Sequence, residues 1–526
     1  MESQPLSLAD AARRIRDGSV TSEQLVRDVL ERADELGYLG CYISRFDGPA
    51  VAAAARADRE LSDGTDRGVL HGIPIAVKDI IATSEGPTTA QSRVLDPGWA
   101  NGRDAPVVAR LRAAGAVIIG KATTMEYALG FPDPGGPYPL PRNPWNTDTW
   151  AGGSSSGCAN GVAAGLFWAG IGTDTGGSIR VPSAFCGITG LMPTYGRLPM
   201  AGCVPLSYSL DRIGPMARTA RDCAAVLDAM AAGSAVADTP LRDHTIAASG
   251  SLSGLVIGVC SPGQAAAAHP AVDPCLRAAM ASLAERGASV VEIDLPYYQE
   301  IQAVEWMTVV SEAAAYHRTN LLTRWGEYAP STRLMIAEGL LIEAPDYVQA
   351  QRVRRVAQQE LALLLRRVDI VATPTSYQPA PAMTDVVDGD PDDILSGLNT
   401  SYWNPLGNPV LALPMGFTGD GLPLSVQLAA APYREDLLLA VGGVYQDATD
   451  WHCRRPVPSP PSEARYPGTG RSAPTPAGPD PGPSDEELSA LARRDHALRE
   501  MKESLYRVAA ADPALVFTAE PPAASW

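Results

Sequence analysis

Ala151-Gly152-Gly153-Ser154-Ser155-Ser156-Gly157 and Asp174-Thr175-Gly176-Gly177-Ser178-Ile179-Arg180 set two Gly-Gly-Ser turns in one short stretch of chain, with Ser154 and Ser178 24 residues apart. Glycine lets successive backbone N–H groups line one concavity without interference from a Cβ, and each turn ends in a hydroxyl. Two hydroxyls and free N–H groups meeting at one point are the parts that acyl transfer requires, a nucleophile with donors for the oxyanion. Upstream, Gly72-Ile73-Pro74-Ile75-Ala76-Val77-Lys78-Asp79 is a short, apolar, strand-like run that ends in a lysine. A serine hydroxyl is a poor nucleophile until a base takes its proton. None of the six histidines (His71, His244, His269, His317, His452, His496) lies in a G-x-S-x-G context, and His71 reads as a loop residue ahead of the strand. Lysine can serve as that base when its amine is neutral, which desolvation or neighbouring positive charge achieves by lowering its pKa from about 10.4.

In residue type, order and spacing the three segments resemble the amidase signature family, over roughly residues 5–448. The resemblance implies a relay in which Lys78 accepts a proton from Ser154, which accepts one from Ser178 as Ser178 attacks an amide carbonyl. It implies a cis peptide bond joining Gly153 to Ser154, and an oxyanion hole made by Thr175, Gly176, Gly177 and Ser178, a feature worth about 3–4 kcal/mol per donor. Asp174 and Arg180 then support the loop, and Ser155 hydrogen-bonds within the site. Met125, Tyr127, Phe131, Trp145, Tyr316 and Trp403 flank the family's motifs and are expected to line the substrate pocket. No metal and no cofactor enter this chemistry. The implied fold is α/β, a large mixed β-sheet core covered on both faces by helices.

The chain's own patterning agrees with strands alternating with helices. Thr21-Ser22-Glu23-Gln24 forms a capping box for a helix burying Leu25, Val26, Val29 and Leu30. Asp104 to Ala114 reads as a helix closed by Gly115, with a strand beginning at Ala116-Val117-Ile118-Ile119. Longer helical patterns occupy 238–396, the region that in the family carries much of the specificity, and two strand-like runs close the domain at about residue 450. From 451 to 483 Pro, Gly, Ser and charge dominate, a composition that cannot bury enough apolar area to offset its ordering entropy, so a linker is expected. Over 484–526 a second capping box, Ser484 with Glu487, precedes Leu488, Leu491, Leu498, Met501, Leu505 and Val508 on one helical face. A short strand follows at Ala514-Leu515-Val516-Phe517. Such a tail must bury its apolar face, against its own domain or a second copy of the chain, and a homo-oligomer through it is a stated option.

A formal charge of −17 disfavours nucleic acid and anionic membranes as partners. Eight scattered cysteines show no C-x-x-C pair, and residues 1–25 lack a signal-peptide core, so a cytoplasmic protein with reduced thiols is expected. A phosphate cradle is excluded because neither Gly-Ser loop continues into Gly-Lys-Ser/Thr. The expected function is hydrolysis of a small-molecule carboxamide through a Ser178 acyl-enzyme. The alternatives are a glutamine-dependent amidotransferase A-type subunit that works with partner chains, or a urea- or biuret-type hydrolase. The former is set second because Glu312-Ala313-Ala314-Ala315-Tyr316-His317-Arg318 leads into no acidic-Gly-x-Arg-Tyr-Gly segment. Phe131-Pro132-Asp133-Pro134-Gly135-Gly136-Pro137-Tyr138 is stiff enough to shape a site entrance.

Overall fold

A computed structural model describes residues 7–233, 249–260, 268–462 and 482–511. The strands are β1 (Tyr42–Arg45), β2 (Pro74–Lys78), β3 (Val117–Ala122), β4 (Arg142–Asn143), β5 (Asn146–Trp150), β6 (Ala169–Asp174), β7 (Thr189–Met192), β8 (Arg212–Ala217), β9 (Val256–Val259), β10 (Ser289–Glu292), β11 (Ile370–Pro374), β12 (Val410–Phe417) and β13 (Pro423–Ala430). Eleven of them make one mixed sheet in the order β1-β3-β2-β6-β8-β7-β12-β13-β11-β9-β10, with β4 and β5 forming a separate hairpin. Every residue of β2, β3, β6, β7 and β8 is buried, as helices on both faces require, which is why their sequences run apolar without alternation. The expected α/β architecture is the one observed.

The local signals act as expected. Thr21 accepts a hydrogen bond from the Gln24 N–H at the start of helix Ser22–Glu35. The helix expected from Asp104 runs Pro106–Ala113, because proline suits a first helical turn, and it stops before Gly115, whose φ is +86°. After β10 the long helix Tyr298–Thr323 packs against Pro330–Glu338 and Ala344–Leu364.

The tail helix Asp485–Ala511 docks on that trio within the same chain. Ser484 and Glu487 cap it reciprocally, the Ser484 N–H donating to Oε2 at 2.8 Å and the Glu487 N–H to Oγ at 3.3 Å. Leu498 and Leu505, each 1% exposed, join a core cluster with Val304, Met307 and Val353. Polar contacts fix the register: Arg333 on Glu487 at 2.7 Å, Lys502 on Asp346 at 2.9 Å, and Gln349 Nε2 donating to the Leu505 carbonyl at 2.9 Å. Leu488, expected on the buried face, is 50% exposed, since Glu487 and not Leu488 takes the contact to Trp325 and Arg333 in that first turn. The expected linker also begins later than its composition suggests. Trp451 packs on Phe417, Arg454 lies over the Trp451 ring, and Thr147 Oγ1 donates to the Ser459 carbonyl, so 451–462 lies on the body. The rest of that stretch, 463–481, and the strand expected at Ala514-Leu515-Val516-Phe517 lie outside the described residues.

Candidate active site

Strands β2 and β6 are parallel neighbours, so Lys78 and Thr173 emerge together at the carboxyl edge of the sheet. Lys78 is wholly buried. Its Nζ donates to Ser154 Oγ at 2.7 Å and to Thr173 Oγ1 at 2.8 Å. Burial lowers its pKa to about 8, outweighing the opposing pull of nearby Asp174 and Asp211. The Gly153–Ser154 bond is cis. Ser154 and Ser178 line one cavity, and the loops that carry them are stitched together by Ser155. The Ser155 N–H donates to the Ser178 carbonyl at 3.1 Å, and its hydroxyl donates to the Thr173 carbonyl at 3.1 Å. His71, by contrast, is held by Glu60 and the Arg67 N–H beside β2, away from the two serines.

The loop bearing Ser178 is built on a buried ion pair. Asp174 accepts from Arg180 Nε and Nη2, both at 3.0 Å, and from Asn404 Nδ2 at 2.9 Å. Desolvation pushes the Asp174 carboxyl up, but Arg180 and these donors overcome it and hold the pKa at about 2. Arg180 also donates to the Thr400 carbonyl, Gln427 Oε1 and Asn404 Oδ1. Asn404, Gln427 and Thr400 complete this network around Asp174 and Arg180, and local sequence does not signal them. Gly177 has φ +140°, and a Cβ there would strike the Thr400 side chain, so glycine is required. One expectation changes. The Gly177 N–H donates to Asp174 Oδ1 at 2.8 Å, which removes it from the oxyanion set and leaves Thr175, Gly176 and Ser178 as the candidates.

The cavity that the serines share has a volume of about 570 Å³. Of the six aromatic and methionine residues expected to line it, only Phe131 does. Met125 is 1% exposed behind Gly153, where with Trp150 it leaves no room for a Cβ. Tyr127 stacks edge-on against His317, and with the 44%-exposed Tyr316 it faces a different surface cavity. Trp145 donates to the Cys186 carbonyl and packs on Phe417, and Trp403 is a core residue of the second cluster. Adjacency to a motif in sequence does not decide which way a side chain points. The 131–138 stretch contributes Phe131 to this cavity, but its Asp133 and 135–138 line a neighbouring one with Glu126 and Arg333.

The remaining wall comes from residues that sequence reasoning misses. Gln299, Gln302, Glu305, Trp306 and Val309 come from the long middle helix, Leu395 and Leu398 from the segment before Asn399, and Arg494, Glu500, Met501 and Ser504 from the tail helix. Arg494 bridges Glu338, at 3.3 Å, and Asp392 where the tail meets the cavity. The recurrence of Arg494, Met501 and Ser504 at helical spacing marks one face in the sequence, though not what that face covers.

The Amidase family model matches residues 24–439. The chain is 36% identical over 482 residues to the A-type subunit of glutamyl-tRNA(Gln) amidotransferase from Roseiflexus sp. (strain RS-1), covering 86% of this chain and 98% of the relative. It is 35% identical over 481 residues to the protein of that name from Pseudomonas aeruginosa PAO1, covering 86% and 99%. Among solved structures, native peptide amidase from Stenotrophomonas maltophilia superposes with a TM-score of 0.72 at 30% identity, covering 86% of this chain and 98% of that one. Among the described residues, no helix is long and apolar enough to cross a membrane.

Proposed function

The chain belongs to the amidase signature family, and on that premise we propose that it cleaves the C–N bond of a carboxamide through an acyl-enzyme on Ser178. The observation that carries this reading is the buried Lys78 amine at 2.7 Å from Ser154 Oγ, in the cavity that also holds Ser178. In its neutral form Lys78 takes the Ser154 proton as Ser154 takes that of Ser178, and Ser178 Oγ adds to the carbonyl carbon. The N–H groups of Thr175, Gly176 and Ser178 are the donors available to the developing oxyanion. The proton then returns through Ser154 to the departing nitrogen, the C–N bond breaks, and water admitted to the same relay releases the acid. Asp174 and Arg180 keep the loop in place throughout.

Two readings of the acyl donor follow. The curated relatives named above favour an A-type subunit of an amidotransferase, in which ammonia released from an amide donor such as glutamine serves a reaction completed with partner chains. Hydrolysis of a free small-molecule carboxamide is the second reading, favoured by the chain's own tail helix forming part of the cavity wall and by the missing acidic-Gly-x-Arg-Tyr-Gly segment. Labelling of the full chain by a fluorophosphonate tests the shared mechanism: wild type should be modified at Ser178 and Ser178→Ala should not. Ammonia release from glutamine, set against a panel of primary carboxamides and ureas, separates the two. If the chain alone turns over the panel and ignores glutamine, the amidotransferase reading is wrong.

A further inference from the structure

We propose that Glu305 recognises a positively charged amino group on the substrate, so that the preferred substrate is a carboxamide carrying an ammonium within a few bonds of the scissile carbonyl. This rests on the carboxamide reading above and extends it to a substrate class. Glu305 projects from the long helix Tyr298–Thr323 into the cavity of Ser154 and Ser178, and is 6% exposed. Its carboxyl lies directly against Gly176, so closely that a Cβ at that position would collide with Oε1. Gly176 is two residues from Ser178, a backbone span of at most about 7 Å, which places the carboxyl near the reacting carbonyl.

What distinguishes Glu305 is its lack of partners among the described residues. The other buried carboxyls around the site are satisfied. Asp174 is held by Arg180, Asp211 accepts from Thr175 and two backbone N–H groups, Glu312 from Ser207, Ser209 and Tyr347, and Glu338 from Trp306 and Arg494. Among the described residues Glu305 has no hydrogen bond and no ion pair. A buried carboxyl without a partner is costly and is retained where something else supplies the partner. The protein's own cations are engaged elsewhere. Arg180 is enclosed by Asp174, Asn404, Gln427 and the Thr400 carbonyl, and Arg494, the single basic side chain lining the cavity among the described residues, bridges Glu338 and Asp392. Asp392 and Glu500 also line the cavity against that one guanidinium, a balance that favours a cationic ligand. Burial raises the Glu305 carboxyl to about 8, so a neutral ligand meets a largely protonated acid near neutral pH, whereas an ammonium draws out the carboxylate.

The test uses the full chain carrying Ser178→Ala, which binds without turnover, and titrates it calorimetrically at pH 7.5 with isosteric pairs. These are 3-aminopropanamide against butanamide, 4-aminobutanamide against pentanamide, and 5-aminopentanamide against hexanamide, each swapping an ammonium for a methyl. At least one amine should bind 10-fold or more tightly than its isostere. Adding Glu305→Gln should bring that ratio within about 3-fold, and Glu305→Leu replaces it if the glutamine variant does not fold. The assignment is overturned if no amine outbinds its isostere, a result that needs no Glu305 variant, or if the preference survives the substitution. Turnover by wild type is read separately. Selective binding without cleavage of any pair counts against the acyl-enzyme on these amides and leaves Glu305's role standing, while cleavage without selectivity does the reverse.

Discussion

The proton inventory of Lys78 makes the sharpest demand on the mechanism. An ordinary lysine at 10.5 would be neutral at pH 7 in only about 3 molecules in 10,000, whereas at about 8 the fraction is roughly one in eleven, a gain of about 300-fold supplied by burial alone. An ammonium cannot accept the Ser154 proton, so activity is lost as pH falls through the folded pKa and saturates above it. Plotted logarithmically, kcat/KM should rise with unit slope to about pH 8 and then level off, increasing about 10-fold between pH 7 and pH 9. Lys78→Arg keeps the charge but cannot surrender it, so it should cost at least about 100-fold and abolish the acid limb in whatever activity remains. The same shift carries a stability signature of the same sign in a higher pH window. Because the folded state binds the Lys78 proton less tightly than the unfolded chain does, the charged amine destabilises the fold below pH 8, and the penalty fades as pH rises toward 10.5. Lys78→Met should therefore raise the unfolding free energy near pH 7 by up to about 3 kcal/mol, less the hydrogen bonds to Ser154 and Thr173. Steady-state profiles on one amide, with denaturant titrations at pH 7 and pH 10, check both arms. A kcat/KM that is flat from pH 6 to pH 9 in wild type, or an acid limb that persists unchanged in Lys78→Arg, would falsify Lys78 as the base.

Three further outcomes are expected. Lys78→Ala, Ser154→Ala and Ser178→Ala should each lower turnover by at least about 100-fold, and the double Lys78→Ala/Ser178→Ala should be little worse than Ser178→Ala; full additivity on one substrate contradicts a single relay. Arg180→Ala strands a buried carboxylate and should cost about 3–5 kcal/mol in denaturant unfolding, a loss that Asp174→Asn in the same chain should partly restore. Leu498→Ala with Leu505→Ala should weaken tail docking by about 2–5 kcal/mol per site, seen as faster amide exchange across 485–508 and in the cavity-facing helical stretch 299–309; unchanged protection in both would mean that the tail does not cover the cavity.

The legible part of this protein is the part whose chemistry is local. Lys78, Ser154, Ser155 and Ser178 are announced by short motifs because a strand end and two glycine turns dictate their geometry within a few residues. Sheet strands such as β2 and β3 are readable because burial on both faces leaves an uninterrupted apolar run. The pocket is not legible in this way. Trp145 and Trp403 are attractive because they stand next to motifs, yet one packs on Phe417 and the other fills the second core, while Glu305 and Gln302 carry no local signature at all. Their position follows from how a 26-residue helix, buried on most of its circumference, lies across the sheet's carboxyl edge, and such a helix shows little amphipathic pattern from which to read its facing. Gly177 is the intermediate case. Its glycine reads as a loop requirement from sequence, but only the three-dimensional position of Asp174 reveals that its N–H is already engaged.

The proposed reacting groups sit at the end of β2 and on two loops tied to the central sheet, whereas much of the wall comes from three stretches far apart in sequence, 299–335, 392–401 and 494–504. The last of these belongs to a tail helix held on by Leu498, Leu505 and the ion pairs of Arg333, Arg494 and Lys502 rather than by sheet hydrogen bonding. Elements secured by helix packing open at lower free energy than central strands, so the wall can move while the relay stays fixed. Substrate preference and turnover chemistry are thereby placed on structural parts that respond separately to substitution. On the proposed mechanism, that separation lets a relay of Lys78, Ser154 and Ser178 serve an acidic cavity, with Glu305 unpartnered among the described residues, without the choice of amide constraining the geometry of proton transfer.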